Sequence, residues 1–234
     1  MGAPRVSIVI PTMNEAGSIG RVIDEIAAAM QDLGPYEILV VDTNSTDGTV
    51  DIARRKGARI VPESRRGYGR AYKTGFAAAH GDIVVTLDAD LTYPAARIPD
   101  FVRSITDKGA DFVSGNRLAR LSPGAMSGMH RLGNSILTGS FRLLFGFPLQ
   151  DSQSGMWSFR RSILTGLELV HDGMAFSEEI KLEAIRRGLR FHELPIEYRA
   201  RVGERKIRSV RDALTNLAWL FRKRVGWVHR APGN

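Results

Sequence analysis

Two hydrophobic patterns alternate along the chain: short apolar runs rich in β-branched residues, and longer stretches with apolar residues at helical spacing. The first pattern predicts strands at 6–10, 37–41, 58–61, 83–87, 110–115, 157–159 and 190–198. The second predicts helices at 19–26, 50–53, 71–79, 98–108, 132–145, 177–187 and 209–224. We expect Pro11 to end the first strand, Pro195 to break the last one, and residues 115–128 to form a loop.

Because strands and helices alternate through the first half, we predict an α/β fold with a mostly parallel central sheet flanked by helices. The chain of 234 residues is long enough for one large domain with a sizeable core. We expect a catalytic domain over residues 1–207, followed at 208–234 by a basic amphipathic helix and tail.

Asp88-Ala89-Asp90 directly follows the apolar run 83–87. Open α/β sheets bind ligands at the carboxyl ends of their strands, and two carboxylates there can hold one hard cation. Taken alone, the motif also suits a solvated acidic loop that closes a strand.

Polar side chains follow three further predicted strands. Because parallel strand ends share one edge of a sheet, we expect all four loops to gather in one cleft. Their polar residues are Thr12, Asn14 and Glu15; Asp42, Asn44, Ser45 and Asp47; Asp88 and Asp90; and Asn116 and Arg117. A single loop of this kind is explained by turns and helix caps, such as one by Asn14 or Ser18, but four converging loops favour a binding site.

Composition narrows the class of partner. The formal net charge is +8, which favours anionic partners such as phosphorylated substrates, anionic lipid or nucleic acid. The chain contains no cysteine, which excludes disulfides, thiolate metal sites and a cysteine nucleophile.

The motifs together resemble a known family. Pro11-Thr12-x-Asn14-Glu15, Asp42-x-Asn44-Ser45-Thr46-Asp47-Gly48-Thr49 and Asp88-Ala89-Asp90 resemble the family 2 inverting glycosyltransferases of the GT-A fold. Gly115-Asn116-Arg117, Asp151-x-x-Ser154-Gly155 and Arg199-x-Arg201 with Gly203-Glu204-x-Lys206 resemble the branch of dolichyl-phosphate mannose synthases. The resemblance covers residues 6–207.

This resemblance implies a nucleotide-sugar donor, a GDP- or UDP-hexose, with mannose the favoured sugar. It places Pro11, Thr12, Glu15 and Asp42 around the nucleoside. It implies that Asp90, with Asp88 beside it, holds Mg²⁺ or Mn²⁺ against the diphosphate, where the metal neutralises the charge that develops on the leaving group. Arg201 and Lys206 would bind the phosphates; without the family pattern, a solvated basic loop would be the preferred explanation for both.

Three positions depart from the family pattern. Thr43 stands where a second acidic residue is usual, and Thr92 stands where the mannose synthase branch often has a glutamine that reaches the metal. Val202 is an additional residue between Arg201 and Gly203. Thr43 and Thr92 affect which nucleotide sugar fits as the donor. The additional Val202 shifts Lys206 by one residue relative to the family pattern.

The nature of the acceptor remains open from the sequence. A polyprenyl phosphate is already an anion and needs cationic residues to hold it, and Arg117 and Arg131 match family positions that grip an acceptor phosphate. A soluble hydroxyl acceptor would instead require a carboxylate base, for which Asp151 is the candidate, although an aspartate at that position is equally suited to a turn.

The closing helix carries apolar residues and Trp219 among arginines and lysines, a pattern that suits a membrane surface. The alternative is that its apolar side packs on the catalytic domain. We therefore expect a cytoplasmic protein that contacts the cytoplasmic membrane face as a peripheral protein. Nucleic acid is not an expected partner, since no recognised nucleic-acid motif or aromatic platform is present. A nucleotidyltransferase would show a glycine-rich basic signature after the first strand, which 11–17 lacks.

Overall fold

A computed structural model describes residues 5–203 and 209–228, with side chains of the last helix described over 213–226. The strands are β1 (Val6–Thr12), β2 (Tyr36–Asp42), β3 (Arg59–Pro62), β4 (Ile83–Thr86), β5 (Phe112–Leu121), β6 (Trp157–Arg160) and β7 (Phe191–Tyr198). The helices are α1 (Ile19–Ala29), α2 (Thr49–Arg55), α3 (Tyr68–Ala78), α4 (Ile98–Thr106), α5 (Gly128–Phe145), α6 (Phe176–Arg186) and α7 (Ser209–Val228).

The strands form one sheet in the order β3-β2-β1-β4-β6-β5-β7. All neighbouring pairs are parallel except the two that involve β6, which runs antiparallel to β4 and β5. The predicted mostly parallel α/β sheet is confirmed. The reversal of β6 means that the chain enters this strand at the edge where the parallel strands end.

Both prolines expected to interrupt strands lie inside them, so those two expectations were wrong. Pro11 pairs with Val41 of β2, at a point where β4 has already stopped pairing with β1. Pro195 lies in β7, the edge strand. A proline that donates no hydrogen bond is tolerated where a strand has a neighbour on one side only.

The expectation of a loop over 115–128 was wrong in its first part. β5 continues to Leu121 and pairs with β7 across an irregularity between Asn116 and Arg120. Asn116 and Arg117 therefore lie within a strand, which holds their backbone more firmly than a loop would.

Helices cover both faces of the sheet. The apolar face of α1, with Ile19 and Ile26, packs with α4 on one side, and α3 and α6 pack on the other around Tyr72 and Trp157. Ser18 precedes α1 but makes no side-chain cap, because its hydroxyl points to the carbonyl of Glu15.

A third apolar cluster joins α5, α6 and α7 beside the sheet. Leu137 and Phe141 of α5 pack with Leu182 of α6 and Leu220 of α7, which is fully buried. The closing helix thus packs on the rest of the protein, as one of the two alternatives from the sequence predicted.

Candidate active site

The carboxyl ends of β1, β2, β4, β5 and β7 lie at one edge of the sheet, and the segment that leads into β6 reaches the same edge. Of the four polar segments expected to converge, three are loops at this edge, and the fourth, with Asn116 and Arg117, lies within β5. A fifth polar segment, 151–155, joins them because β6 is antiparallel. The edge therefore carries nearly all of the side chains predicted to act in the site.

The loops after β1 and β2 are bound to each other by side-chain hydrogen bonds. The Asp42 carboxylate accepts hydrogen bonds from the Thr12 hydroxyl at 3.0 Å and from the Ser45 amide at 2.9 Å. The amide of Asn14 donates to the Ser45 hydroxyl, and the Glu15 amide donates to the Thr49 hydroxyl, both at 2.8 Å. These bonds preorganise the residues predicted to surround the nucleoside.

Asp88 is a partly buried carboxyl group with an unusually high pKa. Burial, together with the nearby Asp90 carboxylate, raises the pKa of Asp88 to about 7. The Tyr72 hydroxyl donates to Asp88 Oδ1 at 3.3 Å. The neighbouring Asp88 and Asp90 carboxylates concentrate negative charge at this point, and a bound cation would offset it.

Asp90 is held from both sides. Its Oδ1 accepts hydrogen bonds from the Thr92 amide at 3.0 Å and from the Thr92 hydroxyl at 2.6 Å. Its Oδ2 lies 3.2 Å from Nη1 of Arg201. Thr92, which departs from the family pattern, thus orients the Asp90 carboxylate through two hydrogen bonds.

Arg201 connects the two halves of the predicted donor site. Besides its contact with Asp90, its Nη2 lies 3.3 Å from Oε1 of Glu15. The segment that carries it pairs with the aspartate loop, because the amide of Val202 donates to the Asp90 carbonyl and that of Arg199 donates to the Thr92 carbonyl, both at 3.0 Å. Lys206 lies outside the described residues.

Arg117 and Asp151 form a buried ion pair. Nε and Nη2 of Arg117 each lie 2.8 Å from one carboxylate oxygen of Asp151, and the Arg117 amide donates to the same carboxylate at 3.0 Å. Burial alone would raise the pKa of Asp151, but the charge and hydrogen bonds of Arg117 hold that pKa below its usual value. The guanidinium also lies 5.2 Å from the centre of the Tyr198 ring.

This ion pair makes Asp151 poorly suited to act as a general base. Both of its oxygens accept hydrogen bonds from Arg117, and Oδ1 accepts another from the amide of Gln153 at 3.1 Å. The side chain is fully buried. A base must reach the proton of an acceptor, whereas this carboxylate is oriented toward Arg117.

Arg131 lies apart from this pair, on an exposed position in the first turns of α5. Its side chain forms no ion pair with another residue in the part of the chain that the structure describes. The same helix turn brings His130 to the wall of the groove described next.

An apolar groove of about 430 Å³ lies between α5 and α7. Its walls include Leu132, Ile136, Leu137, Leu214 and Leu217 from these helices. Thr92, Arg117 and Arg201 are also part of its lining, and these residues bind Asp90 or Asp151. The groove therefore joins the polar site at its inner end.

The sequence did not single out two buried charged residues of α6, Glu178 and Lys181, behind the segment 151–155. Lys181 Nζ donates to main-chain carbonyls of that segment, and the Ser152 hydroxyl donates to Glu178 at 3.2 Å. Burial raises the pKa of Glu178 to about 8 and lowers that of Lys181 to about 8. No local signal marks these positions, because charged residues on a helix are normally exposed.

The donor set at the sheet edge fits a divalent cation bound jointly with a ligand. Within the described residues there is no group of three or more histidine, aspartate or glutamate side chains arranged to hold a metal alone. Asp88 and Asp90 supply hard carboxylate oxygens, and burial together with the negative charge of Asp90 raises the pKa of Asp88. Such a pair suits Mg²⁺ or Mn²⁺ when diphosphate oxygens complete the coordination.

Comparison with known proteins identifies the family. The model of glycosyl transferase family 2 matches residues 7–167 of this chain. The chain belongs to this family. It is therefore a glycosyltransferase, and the resemblance deduced from its motifs is confirmed.

Two relatives from Haloferax volcanii are similar over most of the chain. The low-salt glycan biosynthesis hexosyltransferase is 34% identical over 99% of the chain, which spans 56% of the length of that relative. The dolichyl-phosphate hexose transferase is 35% identical over 86% of this chain and 86% of its own length. The dolichol-phosphate mannosyltransferase of Pyrococcus furiosus is 29% identical over 88% of the chain and 60% of its own length.

The fold also matches solved structures. Glucosyl-3-phosphoglycerate synthase from Mycobacterium tuberculosis, determined with Mn²⁺, UDP and glucosyl-3-phosphoglycerate, superposes with a TM-score of 0.76 and 26% identity. The match covers 96% of this chain and 81% of that structure. The GT-A fold expected from the motifs is confirmed.

Within the described residues, no helix is long and apolar enough to cross a membrane.

Proposed function

We propose that this glycosyltransferase moves a hexose from a nucleoside diphosphate sugar to polyprenyl phosphate, in a reaction that depends on Mg²⁺ or Mn²⁺. The observation that carries the proposal is the apolar groove between α5 and α7, whose inner end is lined by Arg117 and Arg201. A hydrocarbon chain suits the apolar walls, and a phosphate suits the arginines. The names of the dolichyl-phosphate relatives support the same acceptor class.

In this proposal Pro11, Thr12, Glu15 and Asp42 bind the nucleoside. Asp88 and Asp90 would hold the metal, which would supply positive charge to stabilise the diphosphate leaving group. Arg201 and Lys206 bind the diphosphate oxygens. GDP-mannose is the favoured donor, although a UDP-hexose fits the same arrangement.

Arg117, which lines the groove, holds the acceptor phosphate, and Asp151 orients Arg117 through two hydrogen bonds. Arg131, the second arginine expected to hold this phosphate, is exposed on α5 and is not part of the groove lining, so we assign the main contact to Arg117. One phosphate oxygen forms a bond to C1 of the hexose while the bond from C1 to the diphosphate oxygen breaks, so that the configuration at C1 inverts. Because the nucleophile is already an anion, no general base is needed. This agrees with the engagement of both Asp151 oxygens.

Large apolar side chains on the outer faces of the same two helices support contact with a membrane. On α5 the exposed residues are Met129, Leu132, Ile136 and Leu143, and on α7 they are Leu214, Phe221 and Val225. Several of them also line the groove. We propose that this surface, the α5–α7 face, rests on the membrane, so that a lipid acceptor enters the groove directly.

A soluble acceptor is the second candidate. It is favoured by the similarity to glucosyl-3-phosphoglycerate synthase, whose structures contain a phosphorylated glycerate. Such an acceptor would leave most of the apolar groove empty, which is why we rank it second.

The proposal is tested by incubating the purified protein with Mn²⁺ and radiolabelled GDP- and UDP-sugars, with and without a short-chain polyprenyl phosphate. We expect label from one donor to enter the organic phase only when both metal and lipid phosphate are present. Metal-dependent use of the donor with label confined to the aqueous phase would contradict the lipid acceptor and favour the soluble one.

A further inference from the structure

Lys181 of α6 is a lysine without accessible surface. Its Nζ donates to the main-chain carbonyls of Asp151 at 3.0 Å, Ser152 at 2.8 Å and Ser154 at 2.9 Å. An ammonium group has three donors, so all of them are used. Burial of a charge is costly unless it is fully hydrogen-bonded, and the three carbonyls provide that compensation.

The three carbonyls belong to one short segment, 151–155, which has no regular secondary structure. Such a segment has no ladder of its own to fix its backbone. The hydrogen bonds of Lys181 to the carbonyls of this segment hold its backbone in place of strand or helix hydrogen bonds. The amide of Asp151 also donates to the Glu193 carboxylate of β7 at 3.1 Å. The Trp157 ring also donates to the Ser154 carbonyl. The position of Asp151 therefore depends on contacts from outside the segment.

Asp151 in turn determines where Arg117 lies. Arg117 has a long side chain with many rotamers, and its guanidinium is held by two hydrogen bonds to Asp151. A displacement of the Asp151 backbone would move the guanidinium with it. The effect of Lys181 is thus transmitted to the inner end of the apolar groove, which Arg117 lines.

We propose that Lys181 is a positioning residue for Arg117, acting through the backbone of the segment 151–155. This role rests on the proposed function insofar as Arg117 holds the acceptor phosphate. Lys181 itself contacts neither donor nor acceptor in this proposal. Its loss is expected to weaken use of the acceptor, while binding of metal and nucleotide at Asp88 and Asp90 is retained.

The first test is Lys181→Met, which keeps the length of the side chain and removes the charge. We expect the KM for polyprenyl phosphate to rise roughly tenfold or more, as misplacement of a positioning group typically causes. The affinity for Mn²⁺ and nucleoside diphosphate, measured by calorimetry, should stay within about twofold of the wild type. If acceptor use and the affinity for Mn²⁺ and nucleoside diphosphate fall to a similar extent, Lys181 has a general structural role and the proposal is overturned.

The second measurement needs no substrate. In ¹⁵N NMR spectra, the Nε–H of Arg117 should be protected from exchange in the wild type, because it donates to a buried carboxylate. We expect Lys181→Met to lose this protection. Lys73→Met is the matched control, since Lys73 also binds a carbonyl and a carboxylate, of Val170 and Asp172, but lies outside the site. Retained protection in Lys181→Met would overturn the proposal.

The two measurements separate this proposal from the proposed function. If the wild type does not use a phosphate acceptor, the proposed function fails, and the Arg117 signal still decides the role of Lys181. If the wild type uses the phosphate but Lys181→Met keeps both its KM and its Arg117 signal, only the positioning role fails.

A chemical variant covers the case in which Lys181→Met does not fold. The chain has no cysteine, so Lys181→Cys can be alkylated selectively in denaturant and then refolded. Bromoethylamine restores an ammonium of nearly the same length, whereas bromopropane gives a neutral side chain of the same size. Arg117 protection and acceptor use should return with the first reagent alone. If only the ammonium form folds, Lys181 serves global stability and the positioning role is wrong.

Discussion

At the residue scale, the ion pair between Arg201 and Asp90 places a cation where the proposed metal would bind. Arg201 contacts Glu15 as well, so its guanidinium spans the proposed nucleoside and metal residues. A divalent ion at Asp90 must compete with this guanidinium for the same carboxylate oxygen. The same charge is available for the diphosphate once the contact with Asp90 is released.

Because of this competition, we expect removal of the Arg201 charge to change the affinities for Mn²⁺ and for nucleoside diphosphate in opposite directions. Arg201→Gln should bind Mn²⁺ more tightly in the absence of nucleotide, by about fivefold if the partly exposed pair contributes about 1 kcal/mol. It should bind nucleoside diphosphate more weakly, because a phosphate contact is lost. Electron paramagnetic resonance of free Mn²⁺ measures the first quantity, and calorimetry measures the second.

Arg199→Gln is the control, since Arg199 belongs to the same segment but pairs with Glu25 at 3.1 Å. It should leave the affinity for Mn²⁺ unchanged. If Arg201→Gln also leaves that affinity unchanged, Arg201 does not compete with the metal at Asp90.

At the element scale, α5 and α7 are apolar on two sides. Leu137 and Leu220 face the interior, while Leu143 and Phe221 of the same helices are exposed. Trp219, whose presence suggested a membrane surface from the sequence, and Lys223 of α7 instead contact other parts of the protein. Trp219 packs near His171, and Lys223 lies 3.3 Å from the buried carboxylate of Glu179. The two helices are thus anchored on one side and free to contact a partner on the other.

A glycine pair on α5 tests the role of the groove. Gly133 lines the groove, and an added Cβ there meets no atom within 4 Å. Gly133→Phe should fill the groove and raise the KM for polyprenyl phosphate by about tenfold or more, because a pocket that is filled no longer buries its ligand. A phosphate acceptor with a short chain should be less affected. Enzyme assays with acceptors of different length provide the measurement.

Gly139→Phe is the matched control. Gly139 lies on the same helix with equally open space, but it is not part of the groove wall. Its KM for the long acceptor should stay near that of the wild type. Equal effects of the two substitutions would mean that the groove does not take the acceptor chain.

At the scale of the whole molecule, the charge of +8 and the exposed α5–α7 face act together. Arg131 of α5 and Arg222 and Arg224 of α7 are exposed on these helices. A basic surface with exposed apolar residues is attracted to anionic lipid, with about 1 kcal/mol for each cation near the surface. Apolar side chains that enter the interface add to this.

We therefore expect the protein to float with vesicles that contain phosphatidylglycerol and to float much less with pure phosphatidylcholine. Leu143→Glu combined with Phe221→Glu should reduce binding about tenfold or more, since burial of each apolar side chain contributes about 1.5–3 kcal/mol when complete. Val170→Glu is the control, because Val170 is also exposed but lies outside both helices. An equal loss in the control would contradict docking through this face.

Much of the fold was predictable because its signals are local. β-Branched runs and helical spacing identified the elements, and the polar residues that follow them identified the functional edge of the sheet. The errors have nonlocal causes. Pro11 and Pro195 are tolerated inside strands because of which neighbours those strands have, and no local pattern records this. The predicted domain boundary at residue 207 stays a prediction.

The sequence by itself determined the family, the α/β architecture and the clustering of Asp42, Asp88 and Asp90 at strand ends. Only the tertiary structure decided that β6 runs antiparallel, which brings the segment 151–155 to the same edge. It also decided that Asp151 binds Arg117 and that Lys181 is buried beneath them. The physical reason is that hydrophobic spacing acts over a few neighbouring residues, whereas strand direction and the burial of a charge depend on contacts between residues far apart in the chain.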